Sequence, residues 1–326
     1  MRRLSVVLTA YNSASFITKT VESVLHQTLD NFELIAVDDG STDGTAEILD
    51  SYSDRRLRVI HQDNQGPATS LNVGLRLAQY PYIALLDGDD CWHANKLRTH
   101  AIYLDEHPET DLAFDWSIWI DGAGCETGLR SRHCQGACSF CALLEDFVIS
   151  TTSSIVLRRS ALDRAGYCDP HFRRYYVADL VLRIALLREG NVHAIPQPLT
   201  YYRRHGAQMS RDRTVMREEW NALVEKFRSL APLETGKAAR KSASNMARYF
   251  AVVAYENGDF SEAAKILVAS LYGAPAVFLG EWRNWQVTAA TMAGLLLPAP
   301  AFRCIEGLAG IQRSGSCEDP ESRRRR

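Results

Sequence analysis

The sequence predicts an α/β fold in which a mostly parallel sheet is flanked by helices and followed by a helical C-terminal region. Short apolar runs alternate with helical periodicity over the first hundred residues, and each run ends in polar residues. After about residue 212 the composition shifts to long helical patterns. We therefore expect an α/β domain over residues 1–212, a helical region over 213–310 and a disordered basic tail over 311–326.

The first hundred residues contain four strand–helix repeats. The first is "LSVVL", a run typical of a buried parallel strand, followed by apolar residues at helical spacing with a serine available as N-cap. The second has "FELIAVD" and a helix opened by Ser41, Thr42 and Asp43. The third and fourth pair "LRVIHQ" with "GPATSLNVGLRLAQ", and "YIALLD" with "ANKLRTHAIYLDEH". This alternation predicts parallel strands with helices on both faces of the sheet.

The pattern loosens after residue 112, but further elements are predicted in order. "LAFDWSIWID" is typical of a strand, the cysteine-rich segment of a loop, and "TTSSIVLRRSALDRAG" of a strand that leads into a short helix. "VADLVLRIALLREG" predicts a helix that ends at Gly190, since a residue without a Cβ suits a helix terminus. "VHAIPQPLTYYRRH" predicts one or two strands, and "ARYFAVVAYENGDFSEAAKILVASLYGAP" two helices joined at Asn257–Asp259.

Composition and charge exclude several classes of protein. Apolar residues make up 46% and charged residues 23% of the chain, the balance of a soluble globular protein, and a net charge of −2 gives no field that would attract nucleic acid. "MRRLSVVLTA" predicts a first strand and not a secretory signal, because an amphipathic pattern follows it. "VTAATMAGLLLPAP" is too short to span a membrane. We expect a cytoplasmic protein that makes peripheral contact with the inner face of the membrane.

Eight cysteines in a chain of 326 residues do not indicate a disulfide scaffold. Four of them, Cys125, Cys134, Cys138 and Cys141, cluster in one segment that also contains His133. Their spacing lacks the paired C-x₂-C knuckles of strong zinc signatures. Two interpretations stay open at this point, a zinc site and a loop with free thiols.

Polar residues follow three of the predicted strands at the point where each strand ends. They are Thr9, Tyr11 and Asn12 after the first strand, Asp38 and Asp39 after the second, and Asp87, Asp89 and Asp90 after the fourth. Ligands of open α/β sheets bind beyond the carboxyl ends of the strands, so we expect these side chains to share one crevice. Carboxylates at D-x-D spacing suit Mg²⁺ or Mn²⁺ together with substrate phosphates. No dinucleotide, P-loop or nucleophile-elbow motif competes with this interpretation.

Seven segments in order give the chain a strong resemblance to the inverting family 2 glycosyltransferases of the GT-A fold. They cover roughly residues 3–210 and are "SVVLTAYN", "SVLHQTLDNFELIAVDDGSTDGT", "NQGPATSLNVGL", "YIALLDGDDCW", "SSIVLRRSALDRAGYCD", "VADLVLRIALLREG" and "IPQPLTYYRRH". The resemblance implies a nucleotide-sugar donor, most simply a UDP-sugar. It implies that Thr9, Tyr11, Asp38 and Asp39 line the nucleoside pocket, that Asp87 lies near the ribose and diphosphate, and that Asp89 is the direct metal ligand.

The resemblance also implies roles for two later segments. Asp179 stands where the family has its catalytic base, although Ala178 replaces the preceding acid and Ala185 the usual helix arginine. In "YYRRH", His205 is implied to contact the metal or diphosphate, with Arg203 or Arg204 as a phosphate partner. An N-cap role for Asp179 and a solvated His205 are the alternatives that general residue preferences allow.

These residues predict a metal-dependent, inverting transfer of one sugar from a nucleotide-sugar donor to a glycan or lipid-linked acceptor in surface polysaccharide synthesis. The processive members of the family carry a Q-x-x-R-W signature, which is absent here, so we expect no polymer synthesis. Two other classes of protein are alternatives. One is a nucleotide-sugar-binding protein with weak or no turnover, given Ala178 and Ala185; the other is a carboxylate-pair glycoside hydrolase, disfavoured because the acids follow strands of a nucleotide-type crevice.

Overall fold

The computed structural model describes residues 3–131, 134–206 and 213–297. The chain divides into two compact units, residues 1–232 and 233–326. The first unit thus extends past the predicted boundary at residue 212. The tail predicted over 311–326 lies outside the described residues.

The first unit is built on one sheet with helices around it. Its described strands are β1 (Leu4–Ala10), β2 (Phe32–Asp38), β3 (Leu57–His61), β4 (Tyr82–Asp87), β5 (Cys91–Trp92), β6 (Leu112–Ile120), β7 (Glu126–Arg130), β8 (Gly136–Cys138), β9 (Ile155–Arg158) and β10 (Val192–Arg203). Its described helices are α1 (Ile17–Leu25), α2 (Thr45–Asp50), α3 (Pro67–Leu77), α4 (Lys96–Glu106), α5 (Phe140–Glu145), α6 (Arg159–Ala165), α7 (Tyr176–Leu187) and α8 (Arg213–Leu230).

The sheet has a parallel half and a mixed half, in the order β3-β2-β1-β4-β9-β6-β10-β5. The pairs β3–β2, β2–β1 and β1–β4 are parallel. Beyond them β9 is antiparallel to both β4 and β6, whereas β10 runs parallel to β6. The short strands β5 and β8 add to β10, and β7 to β6, all antiparallel. The predicted α/β fold with a central sheet flanked by helices is confirmed, and its continuous run of parallel strands is β3-β2-β1-β4.

Strand register brings the polar strand ends together. Ala10 at the end of β1 pairs with Asp38 at the end of β2, and Thr9 pairs with Asp87 at the end of β4. The residues before these ends are almost completely buried, which explains why apolar runs precede the polar turns. The three strand ends therefore form one edge of the sheet, as the sequence predicts.

Several element boundaries differ from the predictions. α1 begins at Ile17 with Phe16 at the N-cap and no side-chain cap, so no serine caps it. α2 begins at Thr45 after Gly44, because the Asp43 carboxylate accepts hydrogen bonds from the backbone N–H groups of Thr45 and Ala14 and holds the preceding turn. The cysteine-rich segment, predicted as a loop, contains β7, which pairs with the preceding strand β6, and β8, which pairs with the distant strand β10.

The second unit is helical, with α9 (Pro232–Glu256), α10 (Phe260–Gly273), α11 (Pro275–Gly280) and α12 (Trp282–Leu296). The predicted junction at Asn257–Asp259 lies between α9 and α10, where the Asp259 side chain caps α10 by accepting from the Glu262 N–H at 3.0 Å. A small apolar core, including Tyr255, Leu267 and Phe278, holds these helices together. Among the helices described here, none is both long and apolar enough to cross a membrane.

Candidate active site

The loop after β4 folds tightly against the end of β1. The carbonyl of Gly88 accepts a hydrogen bond from Thr20 Oγ1 at 3.1 Å. A Cβ at position 88 would lie 3.0 Å from Ser13 Oγ and 3.1 Å from the Thr9 carbonyl oxygen, so a side chain there would crowd both. Glycine between Asp87 and Asp89 therefore allows both carboxylates to stand close to the strand edge.

Asp89 and His205, the two residues predicted to contact a metal, are neighbours. Asp89 Oδ2 lies 2.9 Å from His205 Nε2, and their side chains are 25% and 17% exposed. The imidazole also packs on the Phe16 ring, with the ring centroids 4.7 Å apart. The residues that follow β10 thus contact the β4 loop, although the two segments are more than a hundred residues apart in sequence. One carboxylate and one imidazole, both reachable from solvent, are placed together.

The carboxylates of the β4 loop crowd one another. Burial, followed by the charge of Asp89, raises the pKa of Asp87 to about 7, although the Thr152 hydroxyl opposes the shift. Burial and the charges of Asp89 and Asp87 raise the pKa of Asp90 well above its ordinary value. Ionisation of these buried carboxyl groups is therefore unfavourable by itself, and a nearby cation would favour the ionised form.

The Asp90 side chain points into the protein and differs in this from the solvent-accessible Asp89. Its side chain is fully buried, with Oδ1 accepting from the Arg203 backbone N–H and Oδ2 from Thr151 Oγ1, both at 2.9 Å. Ser153, two residues beyond Thr151, accepts a hydrogen bond from the Asp87 backbone N–H at 3.0 Å through its Oγ. The 3-10 turn Thr152–Ser154 thus holds the end of β4 through this hydrogen bond.

The predicted nucleoside-binding residues lie at the ends of β1 and β2. Tyr11 is 52% exposed, as stacking on a base requires, whereas Asp38 and Asp39 are buried. Asp39 accepts hydrogen bonds from the backbone N–H groups of Gln65 and Gly66, both at 2.9 Å, so it holds the loop after β3. Asp38 accepts from the Ser41 N–H and lies 3.2 Å from His61 Nδ1.

Asp179, the predicted base, lies in the first turn of α7 and is fully buried. Its Oδ2 is 2.9 Å from Arg183 Nη2, one helical turn away, and its Oδ1 is 2.7 Å from Lys226 Nζ of α8. Lys226 also lies 2.9 Å from Asp169 Oδ2. Both carboxylate oxygens of Asp179 are therefore held by cations in this structure. Its role as base stays a prediction.

A buried polar cluster beneath the β4 loop was not predicted. Asp115 of β6 pairs with Lys96 of α4, accepts from Thr200 Oγ1 at 2.7 Å and lies 2.9 Å from His100 Nε2. Lys96 Nζ also donates to the Ser154 carbonyl at 3.2 Å, so the cluster anchors the 3-10 turn. Burial lowers the pKa of Lys96, and burial followed by the Lys96 charge lowers the pKa of His100 to about 4. Lys96 and His100 lie four residues apart on one helix face, but nothing in that pattern distinguishes them from solvated residues.

The cysteine segment gives no metal centre among the residues that the structure describes. Cys134 Sγ and Cys138 Sγ are 3.4 Å apart, and burial followed by the nearby Cys134 raises the pKa of Cys138 to about 12. Cys125 is exposed, and His133 lies outside the described residues. Across the described parts of the chain, no three His, Cys, Asp or Glu side chains are grouped to hold a metal ion.

Comparisons with known proteins agree with this fold. The model of the family described as glycosyl transferase family 2 matches residues 5–165. The Escherichia coli protein named UDP-Glc:alpha-D-GlcNAc-diphosphoundecaprenol beta-1,3-glucosyltransferase WfaP is 31% identical over 216 residues, which cover 64% of this chain and 80% of that protein. The crystal structure of Staphylococcus aureus TarS 1-349 in complex with UDP-GlcNAc aligns with a TM-score of 0.62 at 20% identity, covering 94% of this chain and 91% of that one.

The central sheet flanked by helices and the match to the family model identify the chain as a glycosyltransferase. The chain belongs to glycosyl transferase family 2. Other relatives match over a shorter part of their length. An uncharacterized glycosyltransferase of Rickettsia bellii is 37% identical over 106 residues, 32% of this chain and 15% of that protein, and the matches cover 18% and 33% of two more relatives.

Proposed function

We propose that this protein transfers a single sugar, with inversion, from a nucleotide-sugar donor to a hydroxyl of a glycan or lipid-linked acceptor, in the synthesis of a surface polysaccharide. A UDP-sugar is the preferred donor class. The observation that carries the proposal is the pair Asp89–His205, 2.9 Å apart beside Asp87 at the edge formed by β1, β2 and β4. The printed names of relatives support it: WfaP is a glucosyltransferase that takes UDP-Glc and a diphosphoundecaprenol acceptor, and TarS 1-349 binds UDP-GlcNAc.

The residues at this edge fit a divalent cation. Asp89 and His205 supply a carboxylate oxygen and an imidazole nitrogen. Burial, followed by the Asp89 charge, raises the pKa of Asp87, so a cation at this edge would favour its ionised form. Mn²⁺ or Mg²⁺ commonly takes one or two protein side chains and completes its coordination with phosphate oxygens and water. Such an ion would supply charge neutralisation for a departing nucleoside diphosphate.

The donor's nucleoside is assigned to the crevice beyond β1 and β2. Tyr11 has the exposure to stack on a base, and Thr9 lies beside Asp87 in register. Asp38 and Asp39 shape the pocket wall, because their oxygens hold the turns that follow β2 and β3. Thr9, Tyr11, Asp38 and Asp39 remain the proposed nucleoside-binding residues, with Asp87 near the ribose and diphosphate.

Asp179 is the proposed general base that takes the acceptor proton as the acceptor oxygen attacks the anomeric carbon from the face opposite the diphosphate. One displacement without a covalent sugar–enzyme intermediate inverts the configuration. In this structure Lys226 must leave Oδ1 before that oxygen can reach an acceptor hydroxyl, since the carboxylate is fully buried. Binding of the acceptor would then compete with the ion pair to Lys226.

The burial of Asp179 and its ion pairs with Arg183 and Lys226 favour a second candidate function, a nucleotide-sugar-binding protein with weak or no turnover. Both candidates require the same donor crevice, so donor binding does not separate them. Release of free sugar from a UDP-sugar separates the two candidates, because a carboxylate that stays ion-paired on both oxygens cannot activate water.

The decisive experiment combines donor binding and hydrolysis. We expect UDP to raise the melting temperature of the full chain more with Mn²⁺ than without it, since binding to the folded state stabilises it. Asp89→Asn should remove the metal-dependent part, whereas the exposed Asp163→Asn should not. Slow hydrolysis of UDP-glucose or UDP-GlcNAc that disappears in Asp179→Asn supports transfer. Stabilisation without hydrolysis supports the binding candidate, and no stabilisation by any nucleoside diphosphate contradicts both.

We further propose that the protein acts in the cytoplasm as a peripheral membrane protein, held through α12. Trp282, Trp285, Ala289, Met292 and Leu296 form an exposed stripe along this helix, whereas Asn284 and Thr291 are buried. The stripe exposes on the order of 500 Å² of apolar surface, less than the roughly 800 Å² per partner of a standard protein interface. Arg283 is the only charged residue within α12, and Glu281 stands at the N-cap of the helix. Tryptophan also prefers the bilayer interface.

A further inference from the structure

Arg203, the last residue of β10, is buried and contacts the β4 loop. Its side chain is 1% exposed, although arginine is rarely buried so completely. Its Nε donates to the main-chain carbonyl of Asp89 at 2.7 Å. Its Nη1 donates to the carbonyls of Asp121 at 3.1 Å and Gly122 at 3.3 Å, in the turn between β6 and β7. One guanidinium therefore ties the β4 loop to a second loop.

The contact between Arg203 and the β4 loop is reciprocal. Asp90 accepts a hydrogen bond from the Arg203 backbone N–H at 2.9 Å, while the Arg203 side chain holds the residue before Asp90. The guanidinium also lies over the Phe16 ring, 5.1 Å from its centroid, and the same ring packs on His205. Both predicted metal-contacting residues thus rest on groups that Arg203 contacts directly.

The chemistry of this position requires arginine. A guanidinium presents five donors in a rigid plane and can bind three carbonyls and an aromatic face at once. A lysine ammonium at the same place is a single point of donation and cannot span the two loops. The neighbouring Arg204 provides a contrast, because its guanidinium lies over Trp119, 5.1 Å from the ring centroid, on the other side of β10.

We propose that Arg203 is a positioning residue that fixes Asp89 and His205 for a divalent cation, and that it does not bind the donor diphosphate. The guanidinium faces main-chain carbonyls inside the protein, whereas a diphosphate ligand would face the crevice. This inference rests on the proposed function and replaces the phosphate contact that the sequence predicts for Arg203. Outer-shell contacts of this kind typically alter metal affinity by about 10- to 100-fold.

The test measures Mn²⁺ affinity of the full chain by electron paramagnetic resonance, and UDP affinity with and without Mn²⁺ by calorimetry. Arg203→Met should raise the Kd for Mn²⁺ at least about tenfold and weaken UDP binding only when Mn²⁺ is present. Arg203→Lys should retain more of the melting temperature but little of the Mn²⁺ affinity. Arg98→Met, at an exposed position of α4, is the control and should leave both affinities unchanged.

Three outcomes would overturn the assignment. One is an unchanged Mn²⁺ affinity in folded Arg203→Met. The second is an equal loss of UDP affinity with and without metal, which identifies a diphosphate ligand. The third, used if Arg203→Met does not fold, is wild-type Mn²⁺ affinity in Arg203→Lys. Failure of the proposed function is distinguishable from all three, because the wild-type chain itself would then bind neither Mn²⁺ nor UDP.

Discussion

Three aspartates of one loop have three different surroundings. Asp87 is crowded by Asp89, Asp89 meets His205 within reach of solvent, and Asp90 is locked inside by Thr151 and Arg203. Equal residue types within four positions therefore have separate roles, because the groups around each carboxylate differ. The sequence predicts the acidic edge and the pair Asp89–His205, but not the interior role of Asp90.

Asp179 and Lys226 make a testable pair at the residue scale. Asp179→Asn should lower donor hydrolysis by about 100-fold or more, the usual contribution of a general base. Lys226→Met should raise donor hydrolysis, because it frees the Oδ1 that Lys226 holds at 2.7 Å. Both rates are measured from release of UDP. A fall in hydrolysis in Lys226→Met, with the melting temperature maintained, would show that Lys226 assists the base.

His100 predicts a pH dependence of stability. Its pKa is lowered to about 4 by burial, followed by the Lys96 charge, whereas the unfolded chain has the ordinary value of 6.5. Between those values the unfolded state binds a proton that the folded state does not, so the free energy of unfolding falls as the pH falls from about 6.5 to about 4. The shift corresponds to on the order of 3 kcal/mol.

Urea unfolding at several pH values checks this dependence. His100→Gln should show a shallower fall in stability than the wild type between pH 6.5 and 4. The carboxylates titrate in both proteins, so the difference between the two curves of stability against pH isolates the contribution of His100. Identical slopes would contradict the assignment of a neutral, buried His100.

At the scale of elements, β1 is the centre of the donor edge and α3 fixes its position. A Cβ at Gly74 of α3 would lie only 2.2 Å from Val7 Cγ1 of β1, a residue with no exposed surface. We expect Gly74→Ala to lower the free energy of unfolding by about 1–3 kcal/mol through overpacking, despite the gain of about 1 kcal/mol in helix propensity. Chemical denaturation measures the free energy of unfolding. Gly236→Ala of α9 is the control, because an added Cβ there meets no atom within 4 Å. A stabilised Gly74→Ala would show that the contact is loose.

The exposed stripe of α12 predicts that this helix alone binds the membrane, without attraction from the overall charge of the protein. Replacing Trp282 and Trp285 together by serine should weaken partitioning onto vesicles with anionic lipid on the order of tenfold. Cosedimentation of the full chain measures it, with Tyr249→Ser on α9 as an exposed aromatic control. Unchanged partitioning of the double variant, or self-association of the wild type through the stripe, would contradict lipid as the occupant.

Local patterns predicted the elements better than the contacts between them. The apolar runs and their polar ends specify β1, β2 and β4, because burial demands apolar residues and ligands meet strand ends. β8 was missed because a strand of three residues depends on a partner far along the chain, β10. β7 was missed although it pairs with the preceding strand β6, because its residues are all exposed and have no apolar pattern. The buried cluster around Asp115 and the clamp of Arg203 join segments far apart in sequence. Spacing along the chain carries no signal for such contacts.

At the scale of the whole molecule, family membership and function rest on different grounds. Residues 5–165 match the family model, and the alignment with WfaP covers 80% of that protein. These matches establish family 2 for the chain, while the donor, acceptor and metal are our proposals. The two compact units also separate the proposed tasks, with the donor edge in residues 1–232 and the exposed stripe of α12 in the second unit.

The central claim is that the edge formed by Asp87, Asp89 and His205 binds a divalent cation together with a nucleoside diphosphate. Crystals of the full chain grown with UDP and MnCl₂ test it directly, because anomalous scattering locates manganese. The account predicts one peak in contact with an Asp89 carboxylate oxygen and a UDP phosphate oxygen. Ordered UDP with no manganese at Asp89, or manganese bound elsewhere while Asp89 faces away from the crevice, would contradict it.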